Sequence, residues 1–242
     1  DLEIIVIKGV FPQGKAINKG AKKAKGEILI IMDDDSSLGN ERVIENLVYT
    51  LKKDEKIGMA GASITIPPHA SSFQKWVSKQ FPRFSVPVVK EITNSDMACH
   101  GCCAMKKEIF WEVGGEREEL IRGLDPDLRH RLRERGYRIV LAPHSPVYHP
   151  LPSHLFGFLR LFFRNGMGSA YAQKFFPHLV FETDERLKDE GFTEKRSFLF
   201  RMLRFPLRII QALAKLQILK LLALLSYVLG FIWGWLFSRR VT

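Results

Sequence analysis

Short apolar runs alternate with amphipathic stretches through the first third of the chain. Leu2 to Ile7 reads as an apolar strand, and the turn-forming region from Gly9 to Gly14 leads into a helix over about 15–25, with Ala16, Ile17, Ala21 and Ala24 available for packing. Gly26 stops that helix, and Ile28-Leu29-Ile30-Ile31-Met32 predicts a buried strand. Val43, Ile44, Leu47, Val48 and Leu51 recur at helical spacing over about 41–53, with Asn40 or Ser37 as the cap, and a further strand follows near 57–66. This βαβαβ beginning predicts an α/β domain whose right-handed crossovers build a parallel sheet.

The middle is less regular. Pro67-Pro68 breaks the pattern, Ser72 to Gln80 suits a short helix, and Pro82 and Pro87 imply an ordered loop or edge excursion. Residues 97–105 are nearly all apolar or small and read as a strand. Lys106 to Val113 then forms a short helix ended by Gly114-Gly115. The acidic stretch Glu116 to Glu119 leads to Asp125-Pro126-Asp127, a basic helix over about 127–135, a stop at Gly136 and a strand from Tyr137 to Ala142.

Charge changes the picture at the far end. The chain has 242 residues, enough for one large core plus an appendage, and its net charge of +11 suits nucleic acid or an anionic membrane equally. After Glu194 no acidic residue occurs, while Lys195, Arg196, Arg201, Arg204, Arg208, Lys215, Lys220, Arg239 and Arg240 sit among apolar residues. That interleaving predicts an anionic membrane as partner and no nucleic acid. Arg201, Arg204, Arg208, Gln211 and Lys215 fall on one helical stripe, expected to face lipid phosphates or, alternatively, to be the wet face of a helix docked on the catalytic domain, with Pro206 able to bend the helix. Leu221 to Phe237 runs 17 residues without a charge, close to the shortest bilayer span, with Trp233 and Trp235 where an interfacial belt would lie. A transmembrane helix and a monotopic hairpin both fit this end.

Cys99, Cys102 and Cys103 cannot form a fully paired disulfide set, which favours a reducing compartment and a catalytic domain facing the cytoplasm. With His100 they invite a zinc reading, but no second cluster completes a tetrahedral set, and small buried strand residues are the simpler account.

The candidate chemistry begins at Asp33-Asp34-Asp35, directly after an apolar strand, where α/β sheets hold their ligands. Hard divalent cations prefer carboxylate oxygens, and Asp33 and Asp35 face the same side of an extended chain while Asp34 points away. The alternative is an Asx-rich turn with Ser36 and Ser37. Gly14-Lys15-Ala16-Ile17-Asn18-Lys19-Gly20 opens a helix whose free amides and Lys15 favour phosphate, or is an ordinary surface turn. Asp125 reads as an acidic loop residue or a helix cap, and His149 as a ligand or a structural histidine.

Taken in order, these pieces resemble the inverting family 2 glycosyltransferases of the GT-A fold. The resemblance is carried by the Gly14–Gly20 run, Ala24-Lys25-Gly26-Glu27-Ile28-Leu29, Met32 to Ser36, Gly101 to Lys107, Val113-Gly114-Gly115, and Asp125 to Tyr137, and it covers about 1–170. It implies a Rossmann-like α/β fold with a mixed, mostly parallel sheet. It implies metal-dependent transfer of a sugar from a nucleotide-sugar donor to a hydroxyl or phosphate of a lipid-linked or glycan acceptor, as in cell-envelope glycans. Asp33 and Asp35 would be the outer members of a DxD motif holding Mg2+ or Mn2+, with His149 joining the metal. Lys15, Asn18 and Asp33 to Asp35 would lie on the donor side, and Asp125 would be the catalytic base. Processive members carry Gln-x-x-Arg-Trp, which Arg160 to Gly166 lacks, so a single transfer is expected.

Two departures accompany the resemblance. Leu124 stands where an acidic residue is usual, and the family's first strand and nucleobase-binding loops would precede Asp1, so native sequence is expected upstream. They support the alternative of an inactive transferase-like scaffold at a membrane surface. The expected layout is a catalytic domain over 1–150, an acceptor-side helix and linker over 151–195, and a basic amphipathic helix plus a membrane helix over 196–242. A homo-oligomer is left open.

Overall fold

The structure, a computed structural model, describes residues 2–182 and 195–240, so Asp1 and most of the expected linker lie outside it. Helix α1 spans Gln13–Lys23, strand β1 Ile28–Met32, β2 Ser37–Leu38, α2 Val43–Lys53 and β3 Ile57–Thr65. Helix α3, Ser72–Gln80, opens with a capping box between Ser71 and Gln74. Then come β4 (Thr93–Asn94), β5 (Cys102–Lys106), α4 (Lys107–Glu112), α5 (Leu124–Glu134) and β6 (Arg138–Tyr148). Three longer helices close the chain: α6 (Leu155–Phe175), α7 (Phe198–Ala214) and α8 (Ile218–Phe237).

The sheet runs β1-β5-β3-β6-β2, with β4 also on β6. It is mixed, but not mostly parallel: β3 and β6 are the one parallel neighbour pair among the described residues. The crossover from β1 through α2 does leave β1 and β3 pointing the same way. Strand β5, antiparallel to both, lies between them, so the parallel pair expected from sequence order is never in contact.

Leu2 to Ile7 forms no strand. Leu2, Ile4 and Val6 are exposed, and no described strand offers this segment a ladder. It is instead held at α1, where Ile7 lies against Gly20 and the Lys25 amide donates to Glu3 Oε2 at 3.0 Å. The strand expected over 97–105 begins only at Cys102, because the Met97 amide donates to Ser95 Oγ and the His100 amide to Asp125, leaving neither for a ladder. The helix expected from 127 starts at Leu124, after Gly123 at φ 86°, and β6 continues to Tyr148 along β3.

Side chains alternate along β3 and pack helices on both faces. Met59 joins Ala21, Ile109, Leu128 and Leu132 on one side; Ala60, Ala62 and Ile64 join Val43, Leu47 and Leu51 of α2 on the other. Cys102 and Cys103 are buried on β5, one in each layer, as the simpler reading of the cysteines expects.

Helices α6 and α8 lie side by side in the same direction, with Ser226 Oγ donating to Leu159 O at 2.8 Å. Glycines allow their close approach: a Cβ at Gly166 would stand 2.0 Å from Tyr227 O, and one at Gly230 2.0 Å from Phe163 O. Gly166→Leu is therefore expected to pry α8 off α6, costing about 1–3 kcal/mol; a lower thermal midpoint and faster proteolysis after residue 195 would show it.

Helix α7 folds back antiparallel on α8 through stacked rings, Phe198 against Phe231 and Trp235, and Phe205 against Tyr227. Pro206 stands inside it without ending it. Its basic stripe leans on nearby acceptors: Arg201 donates to Gln173, and Arg204 and Arg208 lie 3.4 and 3.7 Å from Glu182. Leu199, Met202, Leu203, Leu207 and Ile210 are exposed on α7, alongside Arg204 and Arg208. Helix α8 is long and apolar enough to cross a membrane, by length and composition alone.

Candidate active site

Strands β1, β3 and β6 share a direction, so their carboxyl ends open on one edge of the sheet, and β5, running the other way, brings its amino end there. Asp33 follows β1 directly, and the Ser36 amide donates to Asp33 O at 3.1 Å to turn the chain. His149 follows β6, its amide donating to Thr65 O at the end of β3 at 3.0 Å. These two ends meet: His149 Nε2 lies 3.2 Å from Asp35 Oδ1. Asp33, Asp35 and His149 each present one ligand atom, all within 4.8 Å of one another. Two carboxylate oxygens and an imidazole on rigid strand ends fit Mg2+ or Mn2+.

Asp33 is fixed by Gln13 of α1, whose Nε2 donates to its Oδ1 at 2.9 Å. Burial raises its pKa, and the carboxylates of Asp125 and Asp35 add to the rise against the opposing influence of His100 and His149. A carboxyl crowded in this way gains from a bound cation. Asp34 is exposed and outside the cluster, and the chain at Asp34-Asp35 is a turn and not the extended segment expected.

Asp125 stands on the first turn of α5, its side chain about one-third exposed (35%). One oxygen, Oδ1, accepts the His100 amide at 2.7 Å and lies 3.3 Å from His100 Nδ1. Partial burial pushes the carboxyl up, but His100, Arg129, the amide bond and Arg83 together hold it below its ordinary value. It is therefore ionised at neutral pH.

Behind Asp125 the ring of His100 is 3% exposed, with Nε2 2.9 Å from Oε1 of the fully buried Glu116. Burial pulls the imidazole pKa down, and Asp125 and Glu116 outweigh it, lifting it to about 9. Neither His100 nor Glu116 was singled out for the site from sequence. His100 stood among cysteines and Glu116 in an acidic run, and no local spacing links them. The signal was weak: a buried histidine needs a partner, and Glu116 directly follows the Gly114-Gly115 turn.

Asn18 is buried, and its side chain clamps that same loop. Nδ2 donates to Glu116 O and to Glu118 Oε1, both at 2.9 Å, and Oδ1 accepts the Glu116 amide at 2.8 Å. The structure thus places Asn18 under the loop, while Lys15 is exposed on the first turn of α1. Gly115, at φ 63°, is needed here because a Cβ would stand 2.8 Å from Asn18 Oδ1. Asn18→Ala leaves a buried amide and carbonyl of Glu116 unpaired, so a loss of about 1–3 kcal/mol is expected in thermal unfolding.

Leu124 has a packing role. It is buried with Leu120, Tyr171 and Phe176, where α5 meets the end of α6, so an apolar side chain suits this position and a charge would not.

Residues 1–114 match the family described as Glycosyl transferase family 2. Among solved structures, the chain is similar to the mannosyltransferase PcManGT from Pyrobaculum calidifontis in complex with GDP-Man and Mn2+. The identity is 18% over 68% of this chain and 44% of that one, with a TM-score of 0.48. It is also similar to GalNAc-T7 with UDP, GalNAc and Mn2+, at 21% identity over 62% of this chain and 34% of that one, with a TM-score of 0.45. The chain thus spans less than half the length of either protein. No curated protein matches it significantly.

Proposed function

We propose that this chain is the catalytic portion of a metal-dependent, inverting glycosyltransferase that acts once per acceptor at a membrane surface. The observation that supports this most is the placing of a half-open, ionised carboxylate, Asp125, in the same electrostatic neighbourhood as Asp33, Asp35 and His149.

Asp33, Asp35 and His149 would hold Mg2+ or Mn2+, which when bound neutralises charge on the donor's diphosphate. Lys15, exposed at the start of α1, would help to position that diphosphate, and Asn18 would contribute through the loop it clamps. The acceptor is a hydroxyl or phosphate oxygen of a lipid-linked or glycan substrate. With Oδ1 of Asp125 occupied by His100, Oδ2 is the atom that takes the acceptor hydroxyl's proton. The acceptor oxygen bonds to the anomeric carbon as that carbon's bond to the phosphate oxygen breaks, and the nucleoside diphosphate leaves. One displacement inverts the configuration, and no sugar becomes attached to the protein.

The exposed apolar residues of α7 and α8, with Arg239 and Arg240 following, suit attachment to an anionic bilayer. Because α8 is docked along α6, the attachment we favour is a helical hairpin fixed to the catalytic domain, on the cytoplasmic side.

The test is release of nucleoside diphosphate from a panel of UDP-, GDP- and dTDP-sugars, using full-length protein, Mn2+ and a lipid extract as acceptor source. One donor is expected to turn over, with activity lost in EDTA and restored by Mn2+. No turnover of any donor, or turnover indifferent to EDTA, would reject the proposal.

A further inference from the structure

We propose that His100, clamped by Glu116, is the positioning residue that holds the Asp125 carboxylate in its working orientation. The proposal takes the role of Asp125 from the transferase reading; its geometry stands without it.

Glu116 comes from the loop after α4, His100 from the turn before β5, and Asp125 from the start of α5. Three elements that share no local sequence therefore converge on one ring. Nε2 of His100 faces Glu116 Oε1 at 2.9 Å, and Nδ1 faces Asp125 Oδ1 at 3.3 Å. The His100 amide reaches that same oxygen at 2.7 Å. A neutral imidazole has one N–H and can donate to only one carboxylate, whereas an imidazolium donates to both. Two carboxylates on opposite sides of a 3% exposed ring, Glu116 buried and Asp125 partly so, thus favour the protonated form. The charged groups around the ring are Glu116, Asp125 and, farther off, Asp33; Arg129 and Arg83 act on Asp125 from its other neighbours.

The arrangement ties the site to its scaffold. Asn18 of α1 grips the backbone of Glu116 on both sides, and Gln13 of the same helix grips Asp33. Helix α1 thus sets Asp33 directly and Asp125 through Glu116 and His100. A base fixed by one oxygen keeps the other aimed at the acceptor, which is what in-line attack requires.

Imidazole proton NMR of the full chain in detergent micelles tests this, with His100 assigned as the resonance missing from His100→Asn. The wild-type ring is expected to titrate near pH 9, against about 6.5 for an unperturbed histidine. Glu116→Gln, which preserves shape, and Asp125→Asn are each expected to lower the midpoint by about one pH unit or more. A group with its pKa raised by folding stabilises fully below about pH 6.5 and loses that contribution as pH rises through about 9. The wild-type thermal midpoint should therefore fall over that window more steeply than that of Glu116→Gln. On a donor that turns over, Glu116→Gln and His100→Asn should lower kcat, the latter on the order of 100-fold, with donor KM unchanged. The acidic limb of kcat should move to higher pH in His100→Asn, which removes the cation beside Asp125. A wild-type midpoint near 6.5, a midpoint that neither Glu116→Gln nor Asp125→Asn moves, or a kcat loss in His100→Asn with the acidic limb in place would each overturn the proposal. Absence of turnover in the wild type rejects the transferase reading alone, because the NMR titration still decides the geometry.

Discussion

Asp125→Asn is expected to lower kcat about 1,000-fold, within the range that a positioned general base contributes, while leaving donor KM within about twofold. The substitution suits the question because the amide oxygen can still accept the His100 N–H that Oδ1 accepts now. The fold therefore has little reason to change, and an unchanged thermal midpoint should accompany the lost turnover. What the variant lacks is a basic oxygen for the acceptor's proton. Since Asp125 is held below the ordinary carboxylate range, wild-type activity should persist down to mildly acidic pH before the base is protonated. Transfer by Asp125→Asn at more than about a tenth of the wild-type rate would remove Asp125 from the mechanism.

The second large effect is expected at the acidic cluster. Asp35→Asn removes a negative charge from an exposed group that lies 3.2 Å from His149 and contributes to the cluster. Asp33 is a poorer choice, because its bond to Gln13 also anchors α1. Mn2+ affinity in Asp35→Asn, read by electron paramagnetic resonance of the free ion, should fall at least about 10-fold, and turnover should fall with it at fixed metal. Partial recovery at higher Mn2+ is expected, since Asp33 and His149 remain. Unaltered Mn2+ binding would place the metal elsewhere and leave these residues as a solvated acidic turn.

Local patterns in the sequence were faithful where a single element decides the outcome. Strand β1, helices α2 and α3 and the split of β5 from α4 lie close to where periodicity puts them, because burial of one face and a stop residue suffice to set them, although α2 opens after Arg42 without the side-chain cap expected from Asn40 or Ser37. Sheet order was not legible in that way. That β5 would slip between β1 and β3 depends on the return path of residues 66–101, which contain prolines and little periodicity. The segment Leu2 to Ile7 has the composition of a central strand, yet a strand needs a partner and none is offered to it.

The site divides along the same line. Asp33, Asp35 and His149 could be picked out because each follows an apolar strand, and the structure brings the three together. Asp125 was visible through resemblance. Helix α1 carries the run that suggested phosphate binding, but Asn18 within it proves to be a buried clamp, something only the approach of the Glu116 loop reveals. The stripe of basic residues on α7 lies partly against the domain, Arg201 bonded to Gln173, while Arg204 and Arg208 stay exposed beside Glu182, an arrangement that only the approach of those acceptors reveals.

The central claim is a single displacement in which Asp125 deprotonates the acceptor. The most direct measurement is proton NMR of the anomeric centre during turnover of the active nucleotide sugar by the full chain. An α-linked donor should give a β-linked product, with no product from Asp125→Asn. An α-linked product, or a sugar trapped covalently on the protein, would contradict the account.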